Sequence, residues 1–336
     1  MLGARLTGYS LAPNTEPALF NLLGLEHRMD HHIGDVRNRQ DIAEAICSVQ
    51  PEVIFHLAAQ PLVRQSYNEP VETFETNVLG TIYILDAVRS IGKPCSVIIV
   101  TSDKCYENRE WLYGYRENDP LGGHDPYSAS KACVELVTRS FRESFFTKQP
   151  TNSVAIGSAR AGNVIGGGDW SCDRIIPDCV RALAEGNRIG IRNPDSTRAW
   201  LHVFEPLSGY LRLGQFLFPV HTKPNEDLCA AYNFGPAVDS NRSVRSLVRM
   251  VCKYWHGEWE DQSDPKALRE ACLLSLSIDK AWHHLRWLPV WDFETTVEKT
   301  VLWYREFYES KRVLGREQLE SYVDDAKNKN VHWAVS

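Results

Sequence analysis

CSVIIVTSDKCY, residues 95–106, is the stretch on which the reading of this chain turns. Cys95–Thr101 is a continuous β-branched run, the composition of a strand buried on both faces of a parallel sheet. Thr101, Ser102, Asp103 and Lys104 follow at its end. Polar residues at the C-terminal end of such a strand sit at the ligand crevice of an open α/β sheet. Ser and Asp are also good helix caps. From the residues alone, the segment is either ligand-facing or a capped turn.

Working outward, Leu6–Leu11, Val53–Leu57 and Ser153–Ala159 read as further strands. Asn38–Gln50, with Ile42 and Ile46 one turn apart, reads as a helix, as do Val71–Ile91 (Val78, Ile82, Leu85, Val88) and Tyr127–Phe146. Strands alternating with helices of this length predict an α/β fold, a Rossmann-like doubly wound parallel sheet with a smaller α/β substrate-binding lobe. Gly166–Gly168 and the turn Asn193–Asp195 interrupt the pattern after about Gly162. We therefore expect a first domain over 1–162, a mainly substrate-binding lobe over 163–315 ending in a helix at Thr295–Tyr308, and a polar tail over 316–336. The segment Gly315–Ser336 is expected to be a helix with a frayed end.

Composition narrows the function classes. The 336 residues are 43% hydrophobic and 24% charged, with a net charge of -6. That is the balance of a soluble globular protein, and no basic stripe marks a nucleic-acid partner. No apolar stretch approaches the length of a membrane span, and no secretory signal is visible at the N-terminus. The nine cysteines (Cys47, Cys95, Cys105, Cys133, Cys172, Cys179, Cys229, Cys252, Cys272) are scattered without a C-x-x-C. They are expected to be reduced thiols of a cytoplasmic protein, and no metal is expected.

Three further constellations carry chemistry. In Tyr127-Ser128-Ala129-Ser130-Lys131, Tyr and Lys at i, i+4 share one helix face. An ammonium beside a phenol favours the phenolate, and such a Tyr takes a proton from a hydroxyl. In His56-Leu57-Ala58-Ala59-Gln60 the small residues allow either a flat cofactor or tight helix packing. In Gly34-Asp35-Val36-Arg37 the acid either accepts from an adenine amino group or caps a helix.

Taken in order, these motifs resemble the extended short-chain dehydrogenase/reductases: the D-V-R turn, the H-L-A-A strand end, the T-N-V-x-G-T helix (Thr76–Thr81), the S-D-x site and the Y-x-x-x-K helix. QPLVRQSY (Gln60–Tyr67), PVETFETNVLGT (Pro70–Thr81), TSDKCYENREW (Thr101–Trp111), GYREND (Gly114–Asp119), DPYSASKA (Asp125–Ala132) and GNVIGGGDW (Gly162–Trp170) place the chain near the nucleotide-sugar 4,6-dehydratases of that family. TSDKCY points to the branch that takes CDP-glucose; relatives acting on dTDP-glucose or GDP-mannose usually carry Thr-Asp-Glu there.

The resemblance implies a hydro-lyase with NAD as cofactor and CDP-glucose as substrate. Tyr127 is implied as base for the C4 hydroxyl, Ser102 as its hydrogen-bonding partner, Asp103 as acid for the C6 hydroxyl, and Lys131 as ligand of the nicotinamide ribose. Lys104 is implied either as base at C5 or as stabiliser of the enolate. Asp35, Val36, Leu57, Ala58, Ala59, Thr76 and Thr101 are implied to join Tyr127 and Lys131 around the cofactor. Asn163, Arg174, Arg192 and Arg198 are implied for the substrate, Arg174 and Arg198 on its diphosphate, and Trp170 is expected to be a buried structural residue. A homodimer or dimer of dimers through the helices Val71–Ile91 and Tyr127–Phe146 is implied, as is a role in lipopolysaccharide or other surface-glycan precursor synthesis.

One departure stands out. Family members open with a strand and a G-x-x-G-x-x-G loop; here Met1–Leu6 stands where they have the end of the first helix, so roughly 20 residues are expected upstream. A misassigned start is favoured over a trimmed or a degraded copy. Gly8-Tyr9-Ser10 also lacks the acid that often marks NAD over NADP. The alternatives are another nucleotide-sugar 4,6-dehydratase, a 4-epimerase, or an inactive homologue.

Overall fold

Five of the six residues of Cys95–Val100 are buried, and the strand lies inside a parallel sheet, as its composition requires. The computed structural model describes residues 3–146, 154–218, 226–237, 240–264 and 273–335. Its strands, in chain order, are β1 (Thr7–Ser10), β2 (Asp30–Ile33), β3 (Val53–His56), β4 (Cys95–Val100), β5 (Val154–Ala161), β6 (Asn163–Ile165), β7 (Ile189–Ile191), β8 (Thr197–His202), β9 (Ala231–Phe234), β10 (Asn241–Ser243) and β11 (Trp259–Asp261). The main sheet runs β3-β4-β5-β9, all parallel, with Val97 opposite Ile54 on one side and Ile156 on the other. β1 and β2 form a separate parallel pair. The doubly wound plan is present, but the sheet is divided: among the described residues no strand joins β1 to β3.

Helices form where the pattern places them, and local chemistry sets their ends. The Asn38 side chain accepts from the backbone N–H of Gln40 and Asp41, and Gln50 ends the helix Arg39–Val49 in the left-handed conformation (φ 47°). Asp125 caps the helix Pro126–Phe141 through Ser128 N at 2.9 Å, with Pro126 in the first turn. The stretch read as one helix over Val71–Ile91 is instead Pro70–Phe74, a wide π-type turn at Glu75–Leu79, and Gly80–Val88. Gly80 allows the close approach there: a Cβ on it would lie 2.9 Å from Val36.

The chain does not leave the first lobe for good at Gly162. The helix Phe204–Leu217 packs back on β4 and β5, with Ser96 Oγ donating to Gly214 O at 3.1 Å, and β9 completes the main sheet. The second lobe is built from the sheet β10-β8-β6, the pair β11-β7, and the helices Ile175–Ala184, Val244–Tyr254 and Phe293–Ser310 around Trp170, Trp200, Trp303 and Phe307. Trp170 is buried there, as expected. The described cysteines are all free; Cys272 lies outside the described residues, as do Met1, Leu2, Ser153 and Ser336. Among the described residues no helix is long and apolar enough to cross a membrane.

The tail differs from expectation. Gly315–Asn328 is a docked helix whose Tyr322 and Ala326 are buried, followed by the short helix His332–Val335. What docks it is the buried carboxylate of Glu205. Glu205 accepts from Tyr322 Oη at 2.7 Å, from Val290 N at 2.9 Å and from Trp291 N at 2.7 Å. Burial pushes its pKa up to about 7 despite these donors. The fold thus binds this proton more tightly than the unfolded chain does. Its contribution is full below the ordinary value of 4.5 and is lost as pH rises through about 7. The stability cost of Glu205→Gln, read by urea unfolding, should therefore shrink by roughly 3 kcal/mol between pH 4.5 and 7.5. A cost independent of pH would refute this account.

Candidate active site

The C-terminal ends of β4 and β5 open on a crevice of about 2880 Å³ between the lobes. Thr101, Ser102, Lys104, Tyr127, Asn163, Arg174, Arg192 and Arg198 all line it. Thr101, Ser102 and Lys104 reach it from the end of β4, Asn163 from beyond β5 and Tyr127 from the helix Pro126–Phe141, at the carboxyl edge of the parallel sheet, while Arg174, Arg192 and Arg198 reach it from the second lobe.

The segment after β4 serves both purposes left open by the sequence. Ser102 Oγ accepts from Lys104 N at 3.2 Å, capping the short turn Asp103–Cys105, and donates to Asp103 Oδ1 at 2.9 Å. Asp103 is 1% exposed, and its Oδ2 has no partner. Lys104 Nζ lies 3.9 Å from Asp103 Oδ1.

Tyr127 and Lys131 are both buried on the inner face of their helix. Burial drives the Tyr127 pKa up to about 12, while a hydrogen bond with Ser102 and the charge of Arg174 pull it down. The net shift is thus opposite to the lowering expected from the Tyr-x-x-x-Lys pairing, and the groups that oppose burial are Ser102 and Arg174. Lys131 Nζ donates to Val100 O at 3.3 Å, and burial draws its pKa down to about 8.

The remaining candidates fall into two groups. His56 binds Thr81 Oγ1 at 3.0 Å, and Asn77 accepts from Gln60 N at 2.8 Å and donates to Ser130 Oγ at 2.8 Å. Those motif residues tie the end of β3 to the Tyr127 helix. Asp35, beyond β2, is held by Arg37 through Nη2 at 2.6 Å, which keeps its carboxyl below the usual range; Asn38, and not Asp35, caps the next helix. Val36 is core, Leu57 is exposed, Ala58 packs on the core cluster, and Thr76 lies in the wide turn. Asp35, Val36, Leu57, Ala58, Ala59 and Thr76 do not line the crevice. Asp35 and Val36 follow β2, and Leu57, Ala58 and Ala59 follow β3, in two sheet pieces that no strand joins among the described residues.

The basic substrate candidates are engaged by neighbouring groups in the structure. Arg192 is 2.8 Å from Asp173 Oδ1 and Arg174 is 4.0 Å from Asp169 Oδ2, while Arg198 donates to Thr197 O at 3.0 Å. Arg64, which the motif reading passed over, approaches the same Asp173 oxygen at 3.6 Å. Also missed was the buried ion pair Glu135–Arg160 behind the site, at 2.8 Å. Its one sequence signal was an acid one turn beyond Lys131.

A polar ligand fits the reacting end. The buried Asp103 Oδ2 and Asn163 Nδ2 lack protein partners, and Lys131 spends one short-range donor on a carbonyl. That set suits a nicotinamide ribose beside a sugar.

Parallel strands ending in a buried Ser-Asp turn beside a Tyr-x-x-x-Lys helix define an α/β enzyme of the short-chain dehydrogenase/reductase type. The family described as GDP-mannose 4,6 dehydratase matches residues 17–300, and the chain belongs to it. It is 42% identical to the CDP-glucose 4,6-dehydratase of Salmonella typhimurium, over 96% of this chain and 90% of that protein. It is 29% identical to a dTDP-glucose 4,6-dehydratase of Streptomyces antibioticus, over 80% and 76%. Among solved structures, a dTDP-glucose 4,6-dehydratase from Streptomyces venezuelae with NAD bound superposes with a TM-score of 0.76 at 21% identity, covering 96% of this chain and 91% of that one. UDP-glucose 4-epimerase from Thermotoga maritima gives 0.77 at 18%, covering 91% and 93%.

Proposed function

We propose that this chain is a hydro-lyase that converts CDP-glucose to CDP-4-keto-6-deoxyglucose with NAD as resident cofactor. The observation that carries the reading is the Tyr127–Ser102–Asp103 group, in which one buried carboxylate oxygen stands unpartnered beside a buried phenol. A 4-epimerase has no use for an acid at C6, and Asp103 supports dehydration over epimerisation.

Bound NAD would supply the hydride acceptor for C4 and the hydride donor for C6. Lys131, Thr101 and Tyr127 would hold its nicotinamide end. Tyr127 takes the proton of the C4 hydroxyl, with Ser102 orienting the same oxygen. The ketone so formed acidifies the C5 hydrogen; Lys104, 3.9 Å from Asp103, takes that proton in its amine form, Asp103 protonates the leaving C6 hydroxyl, which departs as water, and Lys104 returns the proton to C5 as hydride reaches C6. Arg174, Arg192 and Arg198 exchange their carboxylate and carbonyl partners for the diphosphate, a geometry guanidinium groups match, and Asn163 contacts the sugar.

The reading extends to a cytoplasmic homodimer that supplies surface-glycan precursors. Val71, Leu79 and Leu136 are exposed on the helices expected to pair, which supports self-association. A monomeric mass by light scattering at micromolar concentration would count against it. The division of the sheet favours a second reading, an inactive homologue.

Incubation with NAD and CDP-glucose, dTDP-glucose or GDP-mannose, followed by alkali, reads the 4-keto product by its ultraviolet absorbance. Signal with CDP-glucose alone is expected. Silence in all three would move the reading to the inactive homologue. Asp103→Asn should cut product formation about 100-fold while leaving CDP-glucose binding by calorimetry within threefold of the parent.

A further inference from the structure

The loop Ser102–Cys105 carries three of the proposed reacting groups, and both of its ends are held from behind by one ion pair. Glu135 is 4% and Arg160 3% exposed. Thr101 Oγ1 donates to Glu135 Oε1, and Ser158 Oγ donates to Oε2 at 2.7 Å. Arg160 Nη2 donates to the same Oε2 at 2.8 Å. Its Nη1 reaches Tyr106 Oη at 2.7 Å and Glu117 O at 3.1 Å, and Tyr106 in turn donates to Asn233 at 2.7 Å. Glu135 thus grips the residue before the loop, and Arg160 the residue after it.

Glu135 also stands one helical turn from Lys131, on the same face. The Lys131 ammonium donates to Val100 O, and the next residue, Thr101, is the one that Glu135 holds. Lys131 faces His56 from β3, Cys105 from the loop, and Tyr127 and Glu135 on its own helix. His56 is kept neutral by burial and by Lys131, and burial keeps the Cys105 thiol protonated. Of these four groups, Glu135 alone carries a negative charge at neutral pH.

We infer that the Glu135–Arg160 pair is a positioning device for this active site, stapling both ends of the Ser102–Cys105 loop and supplying the counter-charge of the Lys131 ammonium. A buried ion pair adds little net stability over apolar residues of the same size. Its placement at both ends of the reacting loop accounts for it better than stability does. The inference rests on the proposed reaction only for its kinetic consequence.

The test is therefore made first without substrate. The Lys131 side chain, labelled with carbon-13 at Cε and assigned by loss of its signal in Lys131→Met, is titrated by NMR in the parent, in Glu135→Gln and in the double variant Glu135→Met/Arg160→Met. The double variant leaves no buried lone charge and keeps the fold testable if Glu135→Gln unfolds. In either variant the Lys131 midpoint should fall by about one pH unit or more, and amide exchange at Ser102–Cys105 should quicken at least tenfold. In active enzyme, the alkaline limb of kcat moves down with the midpoint while the KM for CDP-glucose changes less than kcat. A folded variant with an unmoved Lys131 midpoint and unchanged loop exchange overturns the inference, whether or not the parent dehydrates CDP-glucose.

Discussion

Tyr127→Phe should lower kcat for the dehydration about 1000-fold while leaving stability and CDP-glucose affinity nearly untouched. The substitution removes one oxygen from a ring that is 8% exposed and fills the same space. The other two groups proposed beside C4 are engaged elsewhere. Ser102 already donates to Asp103, and Lys131 donates to Val100 O. Burial raises the phenol to a pKa of about 12 even with Ser102 and Arg174 pulling the other way. Initial rates from the alkali-treated product, with calorimetry for binding, give both numbers. A loss of less than tenfold would remove Tyr127 from the role of base.

Gly167→Ala should cost about 3 kcal/mol and raise the KM for CDP-glucose, because overpacking a rigid core forces the backbone to move. A Cβ at residue 167 would lie 2.1 Å from the ring of Trp303. That ring is packed against two other aromatic side chains. It is 2% exposed, stacked on Phe307 with centroids 5.7 Å apart, and edge-on to Trp170 at 5.7 Å. Gly166 and Gly168 line the crevice on either side, so the displaced turn carries the error into the site. Urea unfolding and steady-state kinetics measure the two effects. An alanine variant of parental stability would mean that the turn can shift without cost.

Much of this architecture is legible in the sequence, for reasons that are local. Asn38 and Gln50 mark the ends of a helix because capping and left-handed termination depend on a few neighbouring residues. Cys95–Val100 reads as a central strand because burial on both faces demands an unbroken apolar run. Tyr127 and Lys131 reveal a shared face through their spacing alone. What escaped the reading is long-range. Glu135 meets Arg160 across 25 residues, and Glu205 meets Tyr322 across 117, so no periodicity announces either pair. The tail looked frayed because its helix is polar on the outside, and its few buried residues gain meaning only against Trp291 and Val290. The wide turn at Glu75–Leu79 is equally invisible to a count of helical periods.

The division of the parallel sheet into a pair and a quartet bears on how the protein behaves in bulk. The outer border of β1 and that of β3 each present a row of backbone donors and acceptors with no strand beside them among the described residues. Leu6 is 56% and Val53 38% exposed along these borders. Such rows are adhesive: they recruit any extended segment that reaches them, including one from a neighbouring molecule. An extended segment of matching register is the natural occupant of such a row.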